Sequence, residues 1–277
     1  MSDDRIHRAV SADGAEIAGR VHGQGPALVL VHGAFGDGEF AWDELLPRLT
    51  DRFTCYTPSA RGRGLSAEHP DHSPPRVDED ITAFVGSIGE PVCLFTWSNV
   101  FGFDAAAKSG NVAALASYES GVLSVAREDD LGHVGATFEQ IGMAAADGRL
   151  VDAVHAFTPG FMTDGEIAAL EGTDFFQRCA GGIPAMLTFL QHYQAYEGPR
   201  ATDPETLERI TAPVLAMVGE QTRLRALYTN SVQYIAEHVA DGRVHELPGV
   251  GHFAPVVAPE TLATELISFF GSVRQPA

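Results

Sequence analysis

The run Ala27-Leu28-Val29-Leu30-Val31 is apolar without interruption, begins after Pro26 and stops at His32-Gly33. A strand with one wet face alternates apolar and polar side chains. Five apolar residues in a row fit a strand covered on both faces, as in a parallel sheet flanked by helices. Runs of the same kind lie at 53–56, 92–95, 112–117 and 214–218, with a weaker one at 244–247. Between them, apolar residues recur at helical spacing at Val77, Ile81, Phe84, Val85 and Ile88, and again at Leu262, Leu266, Phe269 and Phe270. A further helix is expected at 42–49. Ahead of the first buried run, Asp13-Gly14 divides two weakly alternating stretches in residues 6–22, which predicts a hairpin at a sheet edge. Alternating strand and helix define an α/β chain with a mostly parallel, twisted, doubly wound sheet and helices on both faces.

The alternation fails from about 126 to 209, where only helical patterns rich in Phe, Met and His occur. The expected organisation is a core of residues 1–125 and 210–277 with a helical cap, 126–209, inserted over the carboxyl edge of the sheet. Phe157, Phe161, Met162, Phe175, Phe176, Met186, Phe189 and Tyr193 are candidates for its inner face, and Trp97, Phe161 and Phe189 for contact with a substrate. No internal repeat is present, and Pro74-Pro75 reads as a turn.

With 18 Lys and Arg against 37 Asp and Glu, the formal charge is −19, a field that repels nucleic acid and anionic membranes. Cys55, Cys93 and Cys179 cannot all pair, and two of them fall within strand runs, which fits reduced, buried thiols in a cytoplasmic protein. The start MSDDRIHRAV has no apolar segment of the kind a signal peptide needs. A small-molecule ligand is the expected partner, and a homodimer is compatible with this reading.

Parallel sheets bind ligands beyond the carboxyl ends of their strands, so the residues after each run carry the chemistry. His32-Gly33-Ala34-Phe35-Gly36-Asp37-Gly38 is a glycine-rich turn able to point N–H groups at a developing negative charge. Thr96-Trp97-Ser98-Asn99-Val100 places a serine at a strand-to-helix turn. Leu247-Pro248-Gly249-Val250-Gly251-His252-Phe253 puts a histidine where it can act as a general base. His69 and His72 have ligand-like spacing, but 69–74 reads as an exposed, turn-rich loop, and His133, His155 and His192 read as polar lining or surface. No metal is expected. Without a glycine-rich phosphate loop, no nucleotide cofactor is expected either.

Leu28-Val29-Leu30-Val31-His32-Gly33, Arg61-Gly62-Arg63-Gly64-Leu65-Ser66 and Pro248-Gly249-Val250-Gly251-His252-Phe253, in this order, resemble the α/β-hydrolase superfamily over roughly residues 25–270. The resemblance implies the α/β-hydrolase fold, Ser98 as nucleophile, His252 as base, and an oxyanion hole from the amides of Asn99 and of Ala34 or Phe35. Where the family usually has its acid, three residues after Gly219, this chain has Thr222. Glu119, after the preceding strand, is the preferred acid. That placement resembles the haloalkane dehalogenase and coelenterazine luciferase branch, whose acid is a Glu there. Glu220 is the alternative. Dehalogenase chemistry itself needs a carboxylate nucleophile, and position 98 is Ser.

Both glycines of G-x-S-x-G are replaced, by Thr96 and Val100, and Phe101, Phe103 and Asp104 add bulk and charge beyond them. The reading that follows is a cofactor-independent serine hydrolase cleaving a small or medium apolar ester, lactone or related acyl compound through a Ser-His-Glu triad. The alternatives are non-hydrolytic chemistry (lyase, isomerase or cyclase) in the same pocket, or a catalytically silent small-molecule binder.

Overall fold

The computed structural model describes residues 5–273; Met1-Ser2-Asp3-Asp4, where the expected absence of a signal peptide was partly read, lie outside them. Eight strands, β1 (Ile6–Val10), β2 (Glu16–Gly23), β3 (Ala27–Val31), β4 (Thr54–Pro58), β5 (Val92–Trp97), β6 (Val112–Tyr118), β7 (Val214–Gly219) and β8 (Gly242–Leu247), form one sheet. Their order is β1-β2-β4-β3-β5-β6-β7-β8. β1 and β2 form the expected edge hairpin, β2 also pairs antiparallel with β4, and every other neighbouring pair is parallel. All residues of β3, β5 and β7 are buried. The unbroken apolar runs thus mark the strands covered on both faces, and each buried Leu or Val there contributes roughly 1.5–3 kcal/mol. Helices Pro74–Ser87, Phe101–Lys108, Arg225–His238 and Pro259–Ser272 flank the sheet.

Between β6 and β7 the chain forms helices Glu128–Ala146, Leu150–Phe161, Asp164–Leu170, Phe175–Ala180, Ile183–Ala195 and Pro204–Leu207, with no strand. Cys55, Cys93 and Cys179 are free and buried, and burial pushes each thiol up to about 12. Among the described residues no helix is long and apolar enough to cross a membrane.

Three local expectations are corrected. Of 42–49 only Leu46–Leu49 is helical, with a Pro in its first turn. Trp42 and Leu45 are buried from a turn instead, where the Trp42 ring meets those of Phe95 and Trp97 at 5.7 and 5.9 Å. Pro74 and Pro75 open helix Pro74–Ser87, where proline's missing N–H costs nothing. The 69–74 stretch is not simply exposed, since His72 is buried and its N–H donates to His192 Nδ1 at 2.9 Å. The cause is Arg61, a buried cation that needs partners. It binds Asp80 at 2.6 Å and Asp13 at 2.8 Å, and draws in the carbonyl of Asp71.

Candidate active site

β3, β5 and β6 stay in register to their carboxyl ends, with Val31 beside Thr96 and Trp97 beside Tyr118. The residues that follow, His32, Ser98 and Glu119, therefore emerge along one edge. Ser98 and Glu119 are the two non-glycine residues with positive φ among those described, at +58° and +50°. A Cβ-bearing residue in this region costs about 1–3 kcal/mol, so the surroundings must hold it there. Ser98 N donates to Tyr118 O at 2.9 Å, and Glu119 N to Met217 O at 3.0 Å. Asn99 locks the turn from within. Its Nδ2 donates to the carbonyls of Val31, His32 and Trp97 at 3.2, 3.0 and 3.0 Å, and its Oδ1 accepts from Phe101 N at 3.1 Å.

The missing glycines have a structural counterpart. A Cβ on Gly102 would sit 2.4 Å from Thr96 Cγ2 and 3.1 Å from Leu94 Cδ2. The small residue that close strand–helix packing requires stands opposite Thr96, on helix Phe101–Lys108, instead of at 96. Val100, at the helix N-cap, is only partly buried and packs against the edge of the core. Phe103 is core, the Phe101 ring packs against Phe189 at 5.3 Å, and the buried Asp104 pairs with Lys108 Nζ at 2.9 Å.

His252 Nδ1 lies 2.6 Å from Glu119 Oε2, with both side chains within 1% of full burial. Glu119 Oε1 accepts from Gly219 N at 2.9 Å, and Thr222 Oγ1 donates to Oε2 at 3.0 Å. Thr222 thus occupies the position expected for an Asp and hydrogen-bonds the Glu. Glu220 is exposed and accepts from Gly249 N at 2.7 Å, bracing the loop that carries His252. Around the imidazole, Tyr228 stacks at 5.3 Å and 19°. Burial first, and then the Glu119 charge, raise the Tyr118 and Tyr228 phenols well above their ordinary range, so both are neutral at pH 7.

Ala34 and Phe35 face the same cavity as Ser98, His252 and Trp97. No backbone carbonyl among the described residues accepts from the N–H of Ala34, Phe35 or Asn99. The loop is held from behind by Arg63 Nη1, which donates to the carbonyls of Ala34 and Gly36 at 2.5 and 3.2 Å. Burial, and then Arg63, push His32 down to about 3, which keeps it neutral. Its ring nitrogens contact Gly33 O at 2.8 Å and Ala60 N at 2.9 Å. The remaining cavity wall is apolar, from Phe40, Phe157, Phe175 and Phe253, with Cys179. The water-accessible volume is about 20 Å³, room for little more than one water.

Among the three residues expected to touch a substrate, Trp97 lines this cavity. Phe161 stacks behind Phe157, with ring centroids 4.1 Å apart, and Phe189 packs between Phe101 and Tyr193 outside it. Helical periodicity marks an apolar face but does not say which of its rings reaches the opening. Sequence reasoning missed Phe40, Gly102, Arg63 as a brace, Thr222 as a donor to Glu119, and Glu166. Among the described residues no three His, Cys, Asp or Glu side chains gather as a metal site.

Comparison with known proteins places these features in context. A 2-(acetamidomethylene)succinate hydrolase of Mesorhizobium japonicum is 24% identical over 97% of this chain and 96% of that protein. A pyrrolizixenacetamide deacetylase of Xenorhabdus hominickii is 39% identical over a short stretch, 21% of this chain and 22% of that protein. An esterase structure from a Rhodococcus species superposes with a TM-score of 0.76 at 20% identity, covering 97% of this chain and 99% of that one. The sequence model of the alpha/beta hydrolase family matches residues 28–265. On that match and this sheet, the chain belongs to the alpha/beta hydrolase family.

Proposed function

We propose that the protein is a serine hydrolase acting on neutral substrates with a short apolar acyl group, with residues 126–209 as its cap. The observation that carries this reading is the buried His252–Glu119 contact of 2.6 Å on the same cavity as Ser98, itself held at φ +58°. Ser98 Oγ attacks the carbonyl carbon and passes its proton to His252, whose Nδ1–H stays bonded to Glu119. The amides of Asn99 and of Ala34 or Phe35 receive the oxyanion, each worth about 10²–10³ in kcat. Collapse expels the leaving group with the proton from His252. Water then attacks the acyl-enzyme by the same route.

The substrate class follows from the walls. The narrow, apolar cavity, with a water-accessible volume of about 20 Å³, favours a small acyl portion. Among the described residues no Lys or Arg lines the cavity, which favours a neutral acyl group, unlike a succinate. One relative is named a deacetylase and another a hydrolase of an acetamido compound, in keeping with a short acyl group. The two departures from the family pattern, Thr222 and the altered turn, are both structurally accommodated, by the bond to Glu119 and by Gly102. The test is hydrolysis of p-nitrophenyl acetate, butyrate and octanoate. Acetate or butyrate turnover far above octanoate, abolished in a folded Ser98→Ala variant, is expected. Equal turnover in Ser98→Ala would sink the mechanism, and octanoate preference would sink the acyl-size argument.

A further inference from the structure

We infer that Glu166 is a positioning residue for His252, through which the helical segment over the cavity sets the orientation of the base. The inference rests on the role proposed for His252. Glu166 lies on helix Asp164–Leu170, and its Oε2 closes a capping box by accepting from Thr163 N at 2.8 Å. A capping-box carboxylate needs no more than that, and one at a free helix end stays solvated. Glu166 is 4% exposed, and none of the ion pairs among the described residues includes it. Its second oxygen explains the burial. Oε1 reaches 87 residues along the chain and accepts from the N–H of Phe253 at 2.6 Å.

The carboxylate is also close to the residue before His252. A Cβ at Gly251 would lie 2.7 and 2.8 Å from the two carboxylate oxygens, so the glycine before His252 leaves the space in which the Glu166 carboxylate sits. The backbone around the imidazole is gripped from three elements. Tyr118 at the end of β6 donates to Gly251 O, and Trp97 at the end of β5 donates through Nε1 to His252 O at 2.9 Å. Glu166 supplies the third hold, and it alone comes from the helical segment. Arg223, beyond β7, seats that helix by donating to Met162 O at 2.7 Å and to Asp164. Seating of the segment and alignment of His252 are therefore one event.

Three variants separate positioning from helix capping. Thr163→Ala removes the cap hydroxyl, which accepts from Glu166 N at 3.1 Å, and leaves the Phe253 bond in place. It lowers thermal stability with kcat unchanged. Glu166→Ala lowers kcat about 10- to 100-fold with KM nearly constant, the scale expected for a misplaced catalytic group. Glu166→Gln, keeping one acceptor oxygen, recovers part of that loss. The second readout needs no turnover: the low-field Nδ1 proton of His252, held by Glu119, is sharp in the ligand-free parent protein and broadened or lost in Glu166→Ala. An unchanged Nδ1 resonance in a folded Glu166→Ala protein overturns the inference, whether or not the parent turns over. Wild-type kcat in that variant overturns it too. A lost resonance in a protein without esterase activity upholds the positioning role and removes the proposed function instead.

Discussion

Replacing Gly102 with Ala tests the packing explanation for the altered serine turn. The added Cβ meets Thr96 Cγ2 at 2.4 Å, a distance that forces strand β5 and helix Phe101–Lys108 apart. Overpacking of this kind costs about 1–3 kcal/mol, offset by about 1 kcal/mol of helix propensity, for a net loss of about 0–2 kcal/mol. Thr96→Ser removes only Cγ2 and keeps the hydroxyl that lies 3.4 Å from Ser120 Oγ, at a cost of about 1 kcal/mol for the lost methyl. Combined, the new Cβ takes the space the old methyl left, so the double variant returns to within about 0.5 kcal/mol of the parent. Additivity instead requires a loss of about 1–3 kcal/mol. Urea unfolding of the four proteins measures the difference, and unchanged m-values show that only native stability has moved. A double variant whose loss equals the sum of the two singles refutes the claim that Gly102 accommodates Thr96.

Thr222→Val removes a hydrogen bond to a buried carboxylate, worth about 1.5–3 kcal/mol, while keeping the volume. It lowers kcat by about tenfold or more at nearly constant KM, and an unaltered kcat denies Thr222 any part in holding Glu119. Asp78 is buried with no partner for Oδ1, and burial, then Asp104, raise its carboxyl well above the ordinary range. A raised native pKa favours the fold at acid pH, and that advantage is lost as pH climbs through the raised value. Asp78→Asn therefore raises Tm at pH 8 and leaves it nearly unchanged near pH 4; no gain at pH 8 contradicts the assignment.

The strands that position the site were legible because double-sided burial leaves no polar residue in β3, β5 or β7 save Thr96. The hairpin was legible because Asp13-Gly14 suits a turn with φ of +91° at Gly14. The position of Glu119 beside the serine turn follows from its place after β6, since register carries the end of that strand to the end of β5. What stayed hidden depends on contacts between distant segments. Gly102 compensates for Thr96 across a strand–helix interface, Thr222 answers Glu119 from 103 residues away, and Glu166 reaches Phe253 across 87. The 69–74 stretch looked solvated because its turn residues are polar, yet Arg61 beneath it required carbonyls and carboxylates that only this loop and its neighbours supply. The aromatics of the helical segment 126–209 showed the opposite difficulty. Phe157 and Phe161 share one helix face and stack nearly parallel, yet only Phe157 of the two lines the cavity.

Whether Ser98 is an activated nucleophile is answered most directly by intact-mass analysis after treatment with a fluorophosphonate. The parent protein, Ser98→Ala and His252→Ala are compared side by side. The geometry predicts one adduct in the parent protein, located at Ser98, none in Ser98→Ala and little or none in His252→Ala. A parent protein that gains no adduct, or gains it equally in Ser98→Ala, contradicts the proposal that this site works as a serine hydrolase.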